Sequence, residues 1–90
     1  KAKALEKLIS VAPEGMTKAY LCNSGTEAVE TAIKFARYVT KKKGFISAMK
    51  GFHGRTLGAL SATYKMEYRE DFMTLIEGFT FVSYNNFEKL

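Results

Sequence analysis

The chain has 90 residues, of which 47% are hydrophobic and 26% are charged. This composition is typical of a globular domain and excludes a disordered chain. A domain this short buries only about 60% of its unfolded surface, so we expect one small domain or a part of a larger one. No apolar run approaches the roughly 20 residues of a membrane span. The single cysteine, Cys22, excludes an internal disulfide and fits a reducing, cytoplasmic compartment.

The net charge of +5 raises the question of nucleic-acid binding. The positive residues are scattered, apart from the triplet Lys41-Lys42-Lys43, which stands just before Gly44. Cations at the end of a helix interact favourably with the helix dipole. This position favours a solvated helix end over a nucleic-acid patch, and no nucleic-acid-reading motif accompanies it.

The first elements in chain order are a helix and a strand. Apolar residues at helical spacing predict a helix over residues 1–11, and Pro13 and Gly15 break it. Residues 17–22 then predict a strand, and the turn over residues 23–25 follows it.

The second helix has the clearest signal. Ser24 and Glu27 have the spacing of a capping box, in which each side chain accepts a hydrogen bond from the backbone N–H of the other residue. Apolar residues then recur on one helix face, and Glu30 and Lys34 have the spacing of an ion pair on the other. Gly44 is the expected end of this helix. The apolar positions are Ala28, Val29, Ala32, Ile33, Ala36 and Val39.

The remaining sequence continues the alternation of helices and strands. It predicts a strand over 45–49, a loop over 50–55, a short helix over 56–63, mixed loop and helix over 64–78, and a strand over 79–84. The order α-β-α-β-α-β predicts an α/β fold with a parallel sheet. Parallel strands need cover on both faces, and so few helices leave much of three strands uncovered, as expected of a fragment.

The strand–turn–helix junction is a candidate phosphate site. The first N–H groups of a helix and its dipole favour an anion, Gly25 permits close approach of the backbone, and the hydroxyls of Ser24 and Thr26 can donate hydrogen bonds. The junction matches neither the P-loop nor the dinucleotide-binding fingerprint. Alternatively, Ser24 only caps its own helix.

The loop after the second strand is a second candidate site. In parallel sheets, ligands bind at the carboxyl ends of strands, which would bring this loop beside the phosphate site. Phe52 could lie against a flat ring, and Arg55 could bind a carboxylate through two hydrogen bonds. Alternatively, Phe52 is a core residue and Arg55 a surface ion-pair partner. His53 lacks the partners of a catalytic triad, and no set of metal ligands is present.

Both regions resemble the class III, or subgroup II, aminotransferases. Residues 23–37 are similar to the family motif N-S-G-T-E-A-x-E-x-A-I-K-x-A-R, and residues 52–63 to F-H-G-R-T-x-G-A-L-S-A-T. Within this family the likeness is greatest to enzymes that act on acetylornithine, or on lysine and ornithine precursors held by an amino-group carrier protein.

The resemblance implies a fold, a cofactor and roles for individual residues. Residues 1–90 would be the N-terminal part of the large domain of the type I fold, an α/β/α sandwich with a mostly parallel sheet, in a homodimeric enzyme that uses pyridoxal 5′-phosphate. Gly25 and Thr26, with help from Ser24, would hold the cofactor phosphate. Phe52 would stack on the pyridine ring, and Arg55 would bind the substrate carboxylate.

The implied reaction moves a terminal amino group of an ornithine-, acetylornithine- or lysine-type substrate to 2-oxoglutarate, in arginine or lysine biosynthesis. Ornithine or 4-aminobutyrate aminotransferase activity is the alternative within the family, and a non-catalytic module that binds phosphate or nucleotides is the alternative outside it. No lysine of this segment matches the one that holds the cofactor covalently. The sequence therefore predicts that the segment alone is inactive, since that lysine lies outside it.

Overall fold

The computed structural model describes residues 2–88. The described residues combine helices with a parallel sheet, as the sequence predicts, but the predicted strict alternation fails because α1 is followed directly by α2. The elements are α1 (Ala2–Val11), α2 (Gly25–Thr40), β1 (Phe45–Ala48), α3 (Leu57–Ala62), α4 (Met66–Arg69), a 3₁₀ turn (Glu70–Phe72) and β2 (Phe79–Val82).

The sheet has two strands, so the prediction of a third strand over residues 17–22 is wrong. β1 and β2 pair in parallel, from Phe45 opposite Phe79 to Ala48 opposite Val82. In the described part of the chain, residues 17–22 make no backbone hydrogen bond to either strand. A strand exists only through such pairing. The segment has no regular secondary structure, and residues 17–21 are exposed, with Tyr20 77% exposed.

Helix α2 begins where the sequence predicts and ends earlier than predicted. Its last residue is Thr40, and Lys41 takes the left-handed conformation (φ 61°) that a terminating glycine usually supplies. The prediction that Gly44 ends the helix is therefore wrong by three residues. Arg37 explains the early end, because its guanidinium donates to the carbonyls of Lys43 (2.9 Å) and Glu77 (2.7 Å) and ties the chain after the helix to the start of β2.

The small core lies around α3. Every residue of this helix except Leu57 is buried, and Ile33 of α2 and Leu75 are buried with it. No residue of α1 is buried, although its apolar positions follow helical spacing as predicted. The packing of α3 against α2 places the start of α3 beside the first turns of α2, and these two regions contain the candidate site residues.

Candidate functional site

The N-terminus of α2 forms half of the predicted capping box: Ser24 caps the helix as expected, whereas the Glu27 carboxylate bonds the N–H of Asn23 and not that of Ser24. Ser24 is extended (φ −155°), and its hydroxyl oxygen accepts a hydrogen bond from the backbone N–H of Glu27 at 3.3 Å. The Glu27 carboxylate in turn accepts from the N–H of Asn23 at 2.7 Å. Ser24 therefore caps its helix, and its hydroxyl proton stays available to a second acceptor.

Two further backbone donors at this helix end have no acceptor. Within residues 2–88, no hydrogen bond uses the N–H of Gly25 or Thr26, which precede the first intrahelical bond from Ala28 to Ser24. A Cβ atom on Gly25 would meet nothing within 4 Å, so the space beside this residue is open. Free N–H groups at the positive end of a sixteen-residue helix form a site suited to an anion.

Hydrogen bonds hold the first half of the loop between β1 and α3 to the end of β1 and to the residues that follow α3. The N–H of Gly51 donates to the carbonyl of Ala48 at 3.1 Å, and the N–H of Tyr64 donates to the carbonyl of Gly51 at 3.2 Å. The N–H of His53 donates to the Thr63 hydroxyl at 2.9 Å. These bonds hold the loop against the end of α3, so that the residues after His53 face α2.

Gly54 is the point of closest approach between the loop and α2. It is buried with φ +136°, and a Cβ atom there would lie 2.8 Å from Cβ of Thr26 and 2.9 Å from Cβ of Ala59. Only glycine fits both the conformation and the space. The contact brings the loop of the second candidate site against the helix of the first.

Phe52 and Arg55 are both free to meet a ligand. The Phe52 side chain is 58% exposed, so the alternative that makes it a core residue is wrong. Tyr68 of α4 packs its ring edge against Phe52, with 5.8 Å between ring centroids and 71° between the planes. Arg55 is exposed, and in the described residues its guanidinium forms neither an ion pair nor a hydrogen bond.

The two candidate sites form one cleft of about 440 Å³. It is lined by four of the residues that the sequence predicts as site residues: Ser24, Thr26, Phe52 and Arg55. The fifth, Gly25, stands between Ser24 and Thr26 in the chain. Gly54 and Thr56 complete the lining. A larger hollow of about 570 Å³ lies along α2 beside Phe35 and Tyr38, but it lacks the free N–H groups. The roles of the residues in the smaller cleft stay predictions.

The cleft fits the chemistry of a phosphorylated aromatic cofactor. It combines open space beside the free N–H groups of Gly25 and Thr26 with the exposed ring of Phe52. The N–H groups suit a phosphate and the Phe52 ring suits a flat aromatic ring, and both border the same cleft.

Glu30 is the residue of this region that sequence reasoning missed. Its carboxylate accepts a hydrogen bond from the Thr56 hydroxyl and one from the N–H of Ala59 at 2.8 Å. The predicted ion pair with Lys34 is absent among the described residues, because the carboxylate faces α3 instead. No local sequence signal announces a contact between residues on two different helices.

The environment of Glu30 favours its charged form. Burial raises the pKa of this carboxyl, but hydrogen bonds from Thr56, Ala59 and Gly58 and the charge of Lys34 together outweigh burial. The pKa therefore lies below its ordinary value, and the carboxylate is ionised at neutral pH.

Two further residues of the sequence analysis, His53 and Cys22, do not line the cleft. The Nε2 atom of His53 is buried and has no hydrogen-bond partner within residues 2–88. Cys22 is half-buried, and its sulfur lies 4.0 Å from the Thr31 hydroxyl. Over the same residues, no group of three potential ligands could hold a metal ion, and no helix has the length and apolarity to cross a membrane.

Comparison with known proteins shows which family the chain resembles. The family model for class-III aminotransferases matches residues 1–90. The chain is 56% identical over 69 residues to a putative LysW-aminoadipate semialdehyde/glutamate semialdehyde transaminase of Pyrococcus furiosus, covering 77% of the chain and 19% of the relative. It is 51% identical over 85 residues to an acetylornithine aminotransferase of Methanopyrus kandleri, covering 94% of the chain and 22% of the relative.

A solved structure is similar to the chain as well. An omega transaminase from Pseudomonas jessenii in complex with PMP superposes with a TM-score of 0.84 at 35% identity, over 91% of this chain and 19% of the transaminase. The chain thus spans about a fifth of the length of the curated relatives it matches.

Proposed function

Since the chain belongs to the class III aminotransferases, which depend on pyridoxal phosphate, we propose that residues 1–90 form the N-terminal part of the cofactor-binding large domain of a longer aminotransferase. The single observation that carries this proposal is the shared cleft. It joins the N–H groups of Gly25 and Thr26, the exposed Phe52 ring and the Arg55 guanidinium, which residues 2–88 leave without a partner.

Each side of the cleft has its own task in this proposal. The N–H groups of Gly25 and Thr26 and the Ser24 hydroxyl hold the cofactor phosphate at the positive end of α2. Phe52 lies against the pyridine ring and limits its movement. Arg55 binds the substrate carboxylate through two parallel hydrogen bonds, which an exposed and unpaired guanidinium is free to make.

Bound pyridoxal phosphate supplies the electron sink that lets an amino group pass between an amino acid and a keto acid. Residues 1–90 bind and orient in this reaction, and the covalent lysine and the partner of the pyridine nitrogen belong to the rest of the enzyme. The segment alone is therefore inactive. Measurable turnover by a purified chain of residues 1–90 would contradict this assignment.

The proposed reaction exchanges the terminal amino group of an ornithine-, acetylornithine- or lysine-type substrate with 2-oxoglutarate. The names of the similar proteins, which include acetylornithine and LysW-linked semialdehyde transaminases, support this substrate class. They also support a role in arginine or lysine biosynthesis and an amino-group carrier protein as partner. The enzyme is proposed to be a cytoplasmic homodimer.

Donor specificity tests the function directly. The full-length enzyme, loaded with pyridoxal phosphate, is assayed with 2-oxoglutarate and four donors: acetylornithine, ornithine, 4-aminobutyrate and a carrier-protein-linked lysine precursor. We expect the highest kcat/KM with acetylornithine or the carrier-linked donor. A preference for free ornithine or 4-aminobutyrate would establish the alternative within the family. Tight binding of ATP without binding of pyridoxal phosphate would instead establish a nucleotide-binding module.

A further inference from the structure

We infer that Glu30 is a positioning residue of this cleft, whose carboxylate holds the start of α3 and the hydroxyls of Thr56 and Thr26 in their places. The inference rests on the proposed function, since it concerns the same cofactor cleft. Glu30 itself does not line the cleft. Its effect on a bound cofactor or substrate passes through the residues that do.

The carboxylate replaces a cap that α3 does not have. Thr56 precedes this helix but makes no side-chain hydrogen bond to it. The Glu30 carboxylate accepts instead from the N–H of Ala59, at 2.8 Å, and so satisfies an N–H group of the first turn of α3. A residue of α2 therefore supplies the cap of α3 and fixes the start of α3 against α2.

The same carboxylate sets the direction of a chain of hydroxyl groups. An ionised carboxylate only accepts hydrogen bonds, so the Thr56 hydroxyl gives its single proton to Glu30. The Thr56 oxygen lies 2.7 Å from the Thr26 oxygen and must accept the Thr26 proton. The Thr26 hydroxyl is thereby directed toward Thr56. A phosphate in the cleft is then left with the N–H groups of Gly25 and Thr26 and the Ser24 hydroxyl.

Two glycines make room for this arrangement. A Cβ atom on Gly58 would lie 2.8 Å from Oε2 and 2.9 Å from Cδ of Glu30. A Cβ atom on Gly54 would meet the Thr26 side chain in the same way. The loop and α3 can contact α2 this closely because both positions lack a side chain, and Glu30 and Thr26 occupy the space.

Substitutions on both sides of the contact test the inference in the full-length enzyme. The variants are Glu30→Ala, Glu30→Gln, Thr56→Val and the double variant Glu30→Ala/Thr56→Val. Thr31→Val is the matched control, because it removes a hydroxyl from the same helix on the side near Cys22. For each variant, the Kd for pyridoxal phosphate, the KM for glutamate and the thermal midpoint are measured.

Glu30→Ala and Thr56→Val are expected to raise the Kd and the KM about tenfold each, since each removes a hydrogen bond to a charged group. The double variant should be no worse than the stronger single variant, because both remove one network. Glu30→Gln keeps an accepting oxygen and should stay within about threefold of wild type, as should Thr31→Val. If Glu30→Ala fails to fold, Glu30→Asp replaces it, because it keeps the charge and withdraws the carboxylate by one methylene. A raised Kd and KM in Glu30→Asp would support the inference, and values equal to those of Thr31→Val would overturn it.

A lower thermal midpoint with Kd and KM unchanged in both Glu30→Ala and Thr56→Val would overturn the inference, since Glu30 would then only stabilise the fold. A double variant whose increase in Kd or KM equals the product of the two single-variant increases would also overturn the inference, since Glu30 and Thr56 would then act independently. Failure of the proposed function is a separate result, in which the wild-type enzyme itself neither binds pyridoxal phosphate nor transfers an amino group.

Discussion

The hydroxyl oxygens of Thr26 and Thr56, thirty residues apart in the sequence, lie 2.7 Å from each other. Thr26 belongs to the first turn of α2 and Thr56 directly precedes α3. This contact joins a site suited to an anion to a loop that offers an aromatic ring and a guanidinium. The cleft is therefore one structural unit, and substitutions on either side should affect the same bound molecule.

Arg55→Ala should weaken substrate binding and leave the cofactor in place. The guanidinium makes no other bond in the described residues, so its loss removes only the proposed pair with the substrate carboxylate. We expect the KM for glutamate to rise roughly 10- to 100-fold, the range of a charged hydrogen-bonded pair. Steady-state kinetics and the cofactor absorbance spectrum of the full-length enzyme measure the two effects.

Lys42→Ala is the control for Arg55→Ala, because it removes an exposed cation that lies beyond the end of α2. It should change neither quantity. Loss of the cofactor from Arg55→Ala with unchanged KM would assign Arg55 to the cofactor and contradict its proposed role.

Substitution of Gly25 and of Gly54 by alanine should separate cofactor binding from the stability of the fold. Gly25→Ala places its methyl group in open space, so the free energy of unfolding should be unchanged or slightly higher while the Kd for pyridoxal phosphate rises about tenfold. Gly54→Ala forces a strained conformation and a contact with Thr26, and should lower the free energy of unfolding by roughly 1–3 kcal/mol. For each variant of the full-length enzyme, thermal unfolding without cofactor measures the stability, and titration with pyridoxal phosphate measures the Kd. Equal cofactor affinity in Gly25→Ala and wild type would argue against a phosphate beside this glycine.

Phe52→Leu should weaken cofactor binding more than it weakens the fold. The ring is 58% exposed and its edge-on contact is with Tyr68, so its removal costs little buried area. We expect a several-fold increase in the Kd for pyridoxal phosphate, from loss of an aromatic stacking contact of about 1 kcal/mol. Leu57→Ala removes a similarly exposed apolar side chain at the start of α3 and is the control. A matching increase in the control would mean that general packing, not stacking, is responsible.

The stabilising effect of the Glu30 charge should disappear in acid. The pKa of Glu30 in the folded chain lies below its ordinary value, so the unfolded chain takes up a proton first as the pH falls. The stability advantage of wild type over Glu30→Gln is therefore complete above about pH 5. It decreases as the pH falls below the unfolded pKa of about 4.3 toward the lower folded value. Thermal midpoints of both proteins between pH 3 and pH 8 measure this difference. An advantage that stays constant or grows in acid would contradict the ionised carboxylate.

Local chemistry made part of this fold predictable from the sequence. The start of α2 follows from Ser24 and Glu27, whose side chains act within one helical turn. The sequence predicts that the two regions meet, but its reason fails, because residues 17–22 form no strand of the sheet. The contacts of Gly54 and Thr56 with Thr26 bring the regions together instead. Helix-terminus chemistry and the family resemblance are enough to select the residues of the cleft from the sequence.

Tertiary contacts decided what the sequence could not predict. Residues 17–22 have the composition of a strand but no neighbouring strand in the described part of the chain. The early end of α2 depends on Arg37 reaching the carbonyl of Glu77, forty residues along the chain. The role of Glu30 depends on the start of α3, and helical spacing alone pointed to Lys34 instead.

The intact mass of the full-length protein, with and without borohydride reduction in the presence of pyridoxal phosphate, tests the central claim most directly. Our account predicts a chain several times heavier than 10.1 kDa that gains the mass of one reduced cofactor, on a lysine outside residues 1–90. The absence of a specific adduct, or an adduct on a lysine within residues 1–90, would contradict the assignment of this cleft to an aminotransferase cofactor site.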